Sequence, residues 1–185
     1  MRRSIWMHAW DLCGRDPDQV IDHLTGHGLN ACSLALSYHG GRMLLPANPD
    51  RVVYEQHPGA LYFRAETERF PRALRPAVAS ESDAAECFLA RCAQRGFPVE
   101  AWLVLCHQDA LAGTAPQMAV KNAFGETYSH ALCPANQTAQ EFCAELCRQA
   151  ARVRGVTGLD LEALSFLGYE HCGLHDKRGI PMAKD

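Results

Sequence analysis

No two of the nine cysteines form a C-x-x-C pair, and an odd number cannot all close into disulfides within one chain. Cys143 and Cys147 sit one helical turn apart, and Cys87 and Cys92 five residues apart. This excludes a disulfide scaffold and a cysteine-only zinc site, and predicts free, mostly buried thiols in a reducing cytoplasm. Long apolar runs are also missing, so nothing here is read as spanning a bilayer. Surplus basic charge is absent: 18 Lys and Arg face 21 Asp and Glu, a formal net charge of −3, with no electrostatic case for nucleic acid or an anionic membrane. Gly14 stands alone after the first apolar run, so neither phosphate-binding glycine pattern is present, and there is no G-x-S-x-G. Met1-Arg2-Arg3 begins like a twin-arginine leader. Ser4–His8 then lacks the apolar core of a signal peptide, which predicts a cytoplasmic protein.

What is present is enough apolar material for one core. The chain has 185 residues, 48% of them hydrophobic, and no linker divides it, so residues 1–185 read as a single domain. Ile5–Trp10 reads as a first strand. Asp16-Pro17-Asp18-Gln19 opens a helix with a capping aspartate and a proline at its first position, and Gly26 and Gly28 stop it. Ala31–His39 reads as a second strand. Gly40–Pro76 is irregular, with Tyr54, Tyr62 and Phe63 in short segments. A helix over Asp83–Gln94, capped by Ser80 or Ser82, carries Ala84, Cys87, Phe88 and Arg91 at helical spacing. Val99–His107 is a third strand, and Gln108–Asn136 a long connection. Thr138-Ala139-Gln140-Glu141 opens a helix that buries Phe142, Cys143, Leu146 and Ala150.

Strands alternating with helices predict an α/β fold: a parallel β-sheet of about four βα units. Gly28, Gly96 and Gly155 each follow a helix and lead into a strand. Eleven residues on from them lie His39, His107 and Phe166; seven on lie Ala35, Leu103 and Glu162.

Gly155–Phe166 is the stretch of most interest. Its apolar residues read as a buried strand, yet it carries Asp160 and Glu162, spaced by two and therefore on one face, roughly 6–7 Å apart. Ionised carboxylates are costly in a core unless paired, metal-bound or wet. An exposed acidic stripe on an edge strand is the competing reading. Ligands of α/β proteins gather at the carboxyl ends of parallel strands, where the spacing places His8, His39, His107 and Glu162 on one side of the sheet.

Two chemistries fit that end. In glycoside hydrolysis one carboxyl protonates the leaving oxygen and another acts as nucleophile or base. Glu162 and Asp160 are the candidate catalytic pair, with His8, His39, Arg42, His107 and Tyr62 as substrate contacts, and Tyr38 and Arg64 beside them. Alternatively His8, His39, His107 and Glu162 hold a divalent metal such as zinc; the first reading needs no cofactor. A non-catalytic binding module is the third reading. His171 and His175 form H-x-x-x-H, but Gly173 between them favours a solvated loop.

Leu132-Cys133-Pro134-Ala135-Asn136, the helix that follows, and Gly155-Val156-Thr157-Gly158-Leu159-Asp160-Leu161-Glu162 resemble glycoside-hydrolase-like (β/α)8-barrel proteins. The loop Tyr38–Pro49 shares in the resemblance. Thr157 stands where that group has Asp, and Gln137 where it has a second Pro. The resemblance implies a carbohydrate or other small-molecule ligand, with Glu162 and Asp160 at the site and His39 as their neighbour. A (β/α)8 barrel takes about 250 residues, so four βα units correspond to its N-terminal half. The face carrying Ala35, Leu103 and Leu105 then needs cover, which predicts a homo-oligomer.

Overall fold

The structure is a computed structural model that describes residues 1–45, 52–56 and 58–166. His171, His175 and part of the loop after Tyr38 lie outside the described residues. The chain begins with β1 (Ser4–His8), shorter than expected because Ala9–Leu12 winds into a 3-10 turn. Asp11 closes that turn by accepting the His8 amide at 2.9 Å. In α1 (Pro17–Gly26) Asp16 caps the helix by accepting from the Asp18 amide, and Val20, Ile21 and Leu24 are buried. β2 (Ala31–Ser37) follows and is buried along its whole length.

The irregular stretch holds a hairpin of β3 (Gly41–Leu44) and β4 (Val53–Gln56), then β5 (Ala60–Leu61) and β6 (Ala77–Val78). The helix α2 (Ser82–Arg95) starts from Glu81, with no side-chain cap, and ends on Gly96 at φ +66°. Its buried stripe is Ala85, Phe88, Leu89 and Cys92, rotated from the expected one. Cys87 is exposed, and Arg91 instead reaches across to Asp18 on α1, with Nε at 2.8 and 2.9 Å from its two oxygens. β7 (Val99–Val104) comes next. The connection after it contains α3 (Asp109–Thr114) and a second hairpin, β8 (Ala119–Lys121) and β9 (Thr127–Leu132), which the sequence reading left unassigned. In α4 (Gln137–Ala150) Asn136 rather than Thr138 is the cap, and Phe142, Cys143, Leu146 and Ala150 are buried as expected. β10 (Val156–Glu162) follows.

These elements make an α/β fold with a mostly parallel sheet. β1, β2, β7 and β10 are neighbours in chain order and all parallel, and β5 joins β2 antiparallel where β1 ends. One face packs on the helices: Cys32, Leu34, Leu36, Ala101, Leu103 and Leu105 share a core with Ile21, Phe88, Leu89, Phe142 and Leu146. Each fully buried Leu or Phe there contributes about 1.5–3 kcal/mol. Gly155 is essential to this packing. Its φ is +97°, and an added Cβ would lie 2.2 Å from the Leu89 carbonyl oxygen of α2.

The opposite face carries Trp6 and His8, Ala35, Trp102 and Val104, then Asp160 and Glu162. Ala35, Trp102 and Val104 form a small buried cluster separate from the main core. Two expectations fail here. Ala35 does not share a face with Leu103 and Leu105: it pairs with Trp102, whose other partner is Asp160. Equal counts from the three glycines slip by one residue on β7: Ala35 pairs with Trp102 and Glu162 with Val104, neither with Leu103. A one-residue slip sends a side chain to the other face. Nor is the acid-bearing strand buried. β10 pairs with β7 alone among the described residues, and Leu161 is 45% exposed.

Candidate functional site at the carboxyl ends of the parallel strands

The side chains at this end form a ribbon of rings, built outward from Trp102. The Trp102 indole stacks against Trp6 at 5.2 Å and lies 5.4 Å from His8 and 5.0 Å from Tyr38. Each indole N–H holds an acid: Trp102 Nε1 donates to Glu162 Oε2 at 2.6 Å, and Trp6 Nε1 to Asp160 Oδ2 at 3.1 Å. Alternation explains the pairing, because Trp6, Trp102, Asp160 and Glu162 all project from the face away from the helices. Charge-assisted bonds of this kind fix carboxylates without neutralising them.

From Tyr38 the ribbon continues into the loops. Tyr38 packs on His39 at 4.2 Å, His39 stacks on His107 at 4.4 Å and 16°, and His107 meets His130 at 5.6 Å. His39 and His107 are both buried. Behind them Gln108 is also buried, its Nε2 donating to the Val104 carbonyl at 2.7 Å, while its amide donates to the His130 carbonyl at 2.9 Å. The chain leaving β7 is thus pinned to β9.

Asp109 closes the cluster. Its Oδ1 is 3.5 Å from His107 Nε2, and its Oδ2 accepts the Gly40 amide at 2.9 Å. Burial works against the Asp109 charge, but the hydrogen bond from His107, the Gly40 amide and the charges of His107 and His39 outweigh it. The carboxyl is held below the usual carboxylate range. Tyr38 is shifted the other way: burial, then the nearby Glu162 carboxylate, push its phenol up.

Among the expected site residues, His39 and His107 come together. His8 lies on the other side of Tyr38, 4.9 Å away, with its ring stacked on Trp10 at 4.3 Å and its Nδ1 3.6 Å from Asp11. The alternative metal set of His8, His39, His107 and Glu162 is therefore split: Glu162 is held by Trp102, and the described cluster with metal-ligand spacing is His39, His107 and Asp109. Those three could hold a metal ion. Arg42 faces Glu55 across the β3–β4 hairpin, with Nη2 to Oε1 at 3.7 Å. Tyr62 is a core residue, fully buried, with its ring 5.4 Å from Trp10. Arg64 pairs with Asp83 on α2.

Sequence reasoning passed over Trp6, Trp102, Gly40 and Asp109. Three of them had a signal. Trp6 and His8 alternate on β1, Gly40 follows His39 directly, and Asp109 stands two residues after His107. Trp102 had none, because only the cross-strand register shows that it faces the acids.

Fold and site together define an α/β protein with a polar, aromatic ribbon at the carboxyl ends of its parallel strands. No family model matches the chain, and no curated protein matches it in sequence. Two solved structures share its fold. A hypothetical protein from Ruminiclostridium thermocellum ATCC 27405 is 16% identical with a TM-score of 0.64, over 89% of this chain and 78% of that one. A noncanonic maltogenic alpha-amylase, AmyB from Thermotoga neapolitana, is 14% identical with a TM-score of 0.55. It matches 90% of this chain, which spans 40% of the amylase chain. At such identities the likeness is one of fold. Among the described residues no helix is long and apolar enough to cross a membrane.

Proposed function

We propose that this protein recognises a carbohydrate on the ribbon's outer end and acts as a glycoside-hydrolase-like module, with Glu162 and Asp160 as its working carboxylates. The observation that carries this reading is the pair of acids bonded to the indoles of Trp6 and Trp102, with Trp6 63% exposed and Glu162 solvent-facing. Sugars present hydroxyls that carboxylates accept from and C–H faces that aromatic rings cover. Two residues apart on one strand, the acids start roughly 6–7 Å from each other. Carboxyl separations of about 6.5–9.5 Å suit inversion and about 5–5.5 Å retention, so the starting geometry lies nearest the inverting class. Glu162, at the strand's end, is the better placed to meet a substrate. The AmyB likeness supports a fold that can carry this chemistry.

The single domain over residues 1–185, its half-barrel character, its cytoplasmic location and its assembly belong to the same proposal. β1 and β10 lie at the two sides of the parallel strands and expose Ile5, Trp6 and Leu161, surfaces suited to a second copy. Light scattering at micromolar concentration tests the assembly, and a stable monomer removes it. For the activity, Glu162→Gln is expected to abolish hydrolysis of aryl-glycosides by the full chain. If wild type does not hydrolyse them but binds oligosaccharides through Trp6 and Glu162, the protein is a binding module. If it does neither, the carbohydrate reading fails.

A further inference from the structure

We propose that His39, His107 and Asp109 bind one divalent transition-metal ion, zinc by its donor set, and that Gly40 positions two of the three ligands. One ligand atom from each of the three residues lies within 4.8 Å of the other two. Zinc at about 2.0–2.2 Å from nitrogen and oxygen holds tetrahedral ligand atoms roughly 3.4 Å apart. His107 Nε2 and Asp109 Oδ1 already stand 3.5 Å apart. The widest pair, within 4.8 Å, needs to close by no more than about 1.4 Å to complete three corners of the tetrahedron.

Gly40 makes the set more than a chance cluster. A carbonyl only accepts, so the 2.8 Å contact between His39 Nδ1 and the Gly40 oxygen means that Nδ1 carries the proton. The neutral ring then has its lone pair on Nε2, and metal-binding imidazoles are held in this way through their other nitrogen. The Gly40 amide holds Asp109 Oδ2, which turns Oδ1 toward His107. The backbone of one residue thus orients a histidine and a carboxylate at once. A Cβ added there would lie 3.0 Å from Pro58 Cβ and 3.1 Å from Asp109 Oδ2, and so would press on the carboxylate it holds.

The donor set selects the ion. Two imidazoles and one carboxylate suit zinc and its first-row neighbours, whereas magnesium and calcium favour all-oxygen sites. Among the described residues three protein ligands are in place, which leaves a fourth position for a further ligand, water or a substrate oxygen. The ribbon joins the two regions, since His39 packs on Tyr38 and Tyr38 on Trp102, which holds Glu162. The proposal does not depend on the carbohydrate reading, because metal uptake needs no sugar.

The test is calorimetric titration of the full chain, stripped with a chelator, with zinc chloride. Uptake of one ion per chain is expected, with release of protons and weaker binding on acidification, because protons compete for the ligands. Asp109→Asn and His107→Gln should each weaken binding at least 10-fold. Gly40→Ala, which keeps every donor, should weaken it about 10- to 100-fold. Cobalt(II) in place of zinc should give the intense visible bands of a tetrahedral site in wild type, and lose them in Gly40→Ala. The double variant His171→Gln/His175→Gln should bind as wild type does. Two results overturn the proposal: no uptake by stripped wild type at micromolar zinc, or uptake that survives Asp109→Asn and His107→Gln but vanishes with the double variant. The wild-type titration stands whether or not a variant folds. Zinc uptake without sugar binding would sink the carbohydrate reading alone.

Discussion

The two ends of the ribbon use similar side chains in opposite ways. At the inner end His39 and His107 are buried, stacked and tied through Asp109 to the Gly40 peptide. At the outer end Asp160 and Glu162 stand on β10, an edge strand among the described residues, each accepting from an indole N–H beside the exposed Trp6. A buried polar group must have its partners built in, because leaving one unmet costs about 1–3 kcal/mol. An exposed carboxylate is served by water and stays available to whatever arrives. The inner end is therefore arranged in advance, as a metal site requires. The outer end is adaptable, as a recognition surface requires.

The largest expected effect lies at the joint between them. Trp102→Ala removes the ring that touches Trp6, His8 and Tyr38 and bonds Glu162, and should cost about 3–5 kcal/mol in urea unfolding. A cost below about 1 kcal/mol would mean that the two ends are not packed as one ribbon. Next comes the inner end itself. His107→Ala takes a partner from Asp109 and should cost about 1–3 kcal/mol, measured in the same way. A value matching that of an exposed substitution would remove the contrast between the ends.

A third effect depends on pH. The Asp109 carboxyl is held below its ordinary range, so its unfolded pKa is the higher of the two, about 3.9. The stability it contributes is complete above that value and disappears as pH falls through the lower, folded one. The stability gap between wild type and Asp109→Asn should therefore be constant near neutrality and close below about pH 4. A gap that widened in acid would reverse the assignment. The smallest expected effect is at the outer end. Glu162→Gln should move stability by less than about 0.5 kcal/mol while removing activity on aryl-glycosides or oligosaccharide affinity. A large loss of stability would make Glu162 a structural anchor and end the comparison.

Much of the architecture was legible along the chain. Gly96 at φ +66° and Gly155 at φ +97° stop and turn the backbone where the sequence placed boundaries, and the buried residues of α4 fall at the expected spacing. Helix periodicity is local, so one segment is enough to read it. Thr138 gave way to Asn136 as the cap of α4, and α2 starts from Glu81 with no side-chain cap where Ser80 or Ser82 was expected, because several residues near each start can cap and the packed stripe decides among them. The α3 segment and the β8–β9 hairpin were missed because they are short, held by contacts to the chain leaving β7 rather than by their own periodicity.

By itself, then, the sequence determined the alternation of strands and helices and the acids sharing one face of β10. Each follows from spacings within a single element or repeat. Tertiary structure alone decided which way Leu103 faces, that Tyr62 lies in the core, and, among the described residues, that β10 is an edge and that Asp109 rather than His8 and Glu162 joins His39 and His107. Those outcomes rest on register between strands. Pairing on both sides of β7 runs one residue off the counts from the glycines, and nothing in the residues of one strand reports its register with a neighbour.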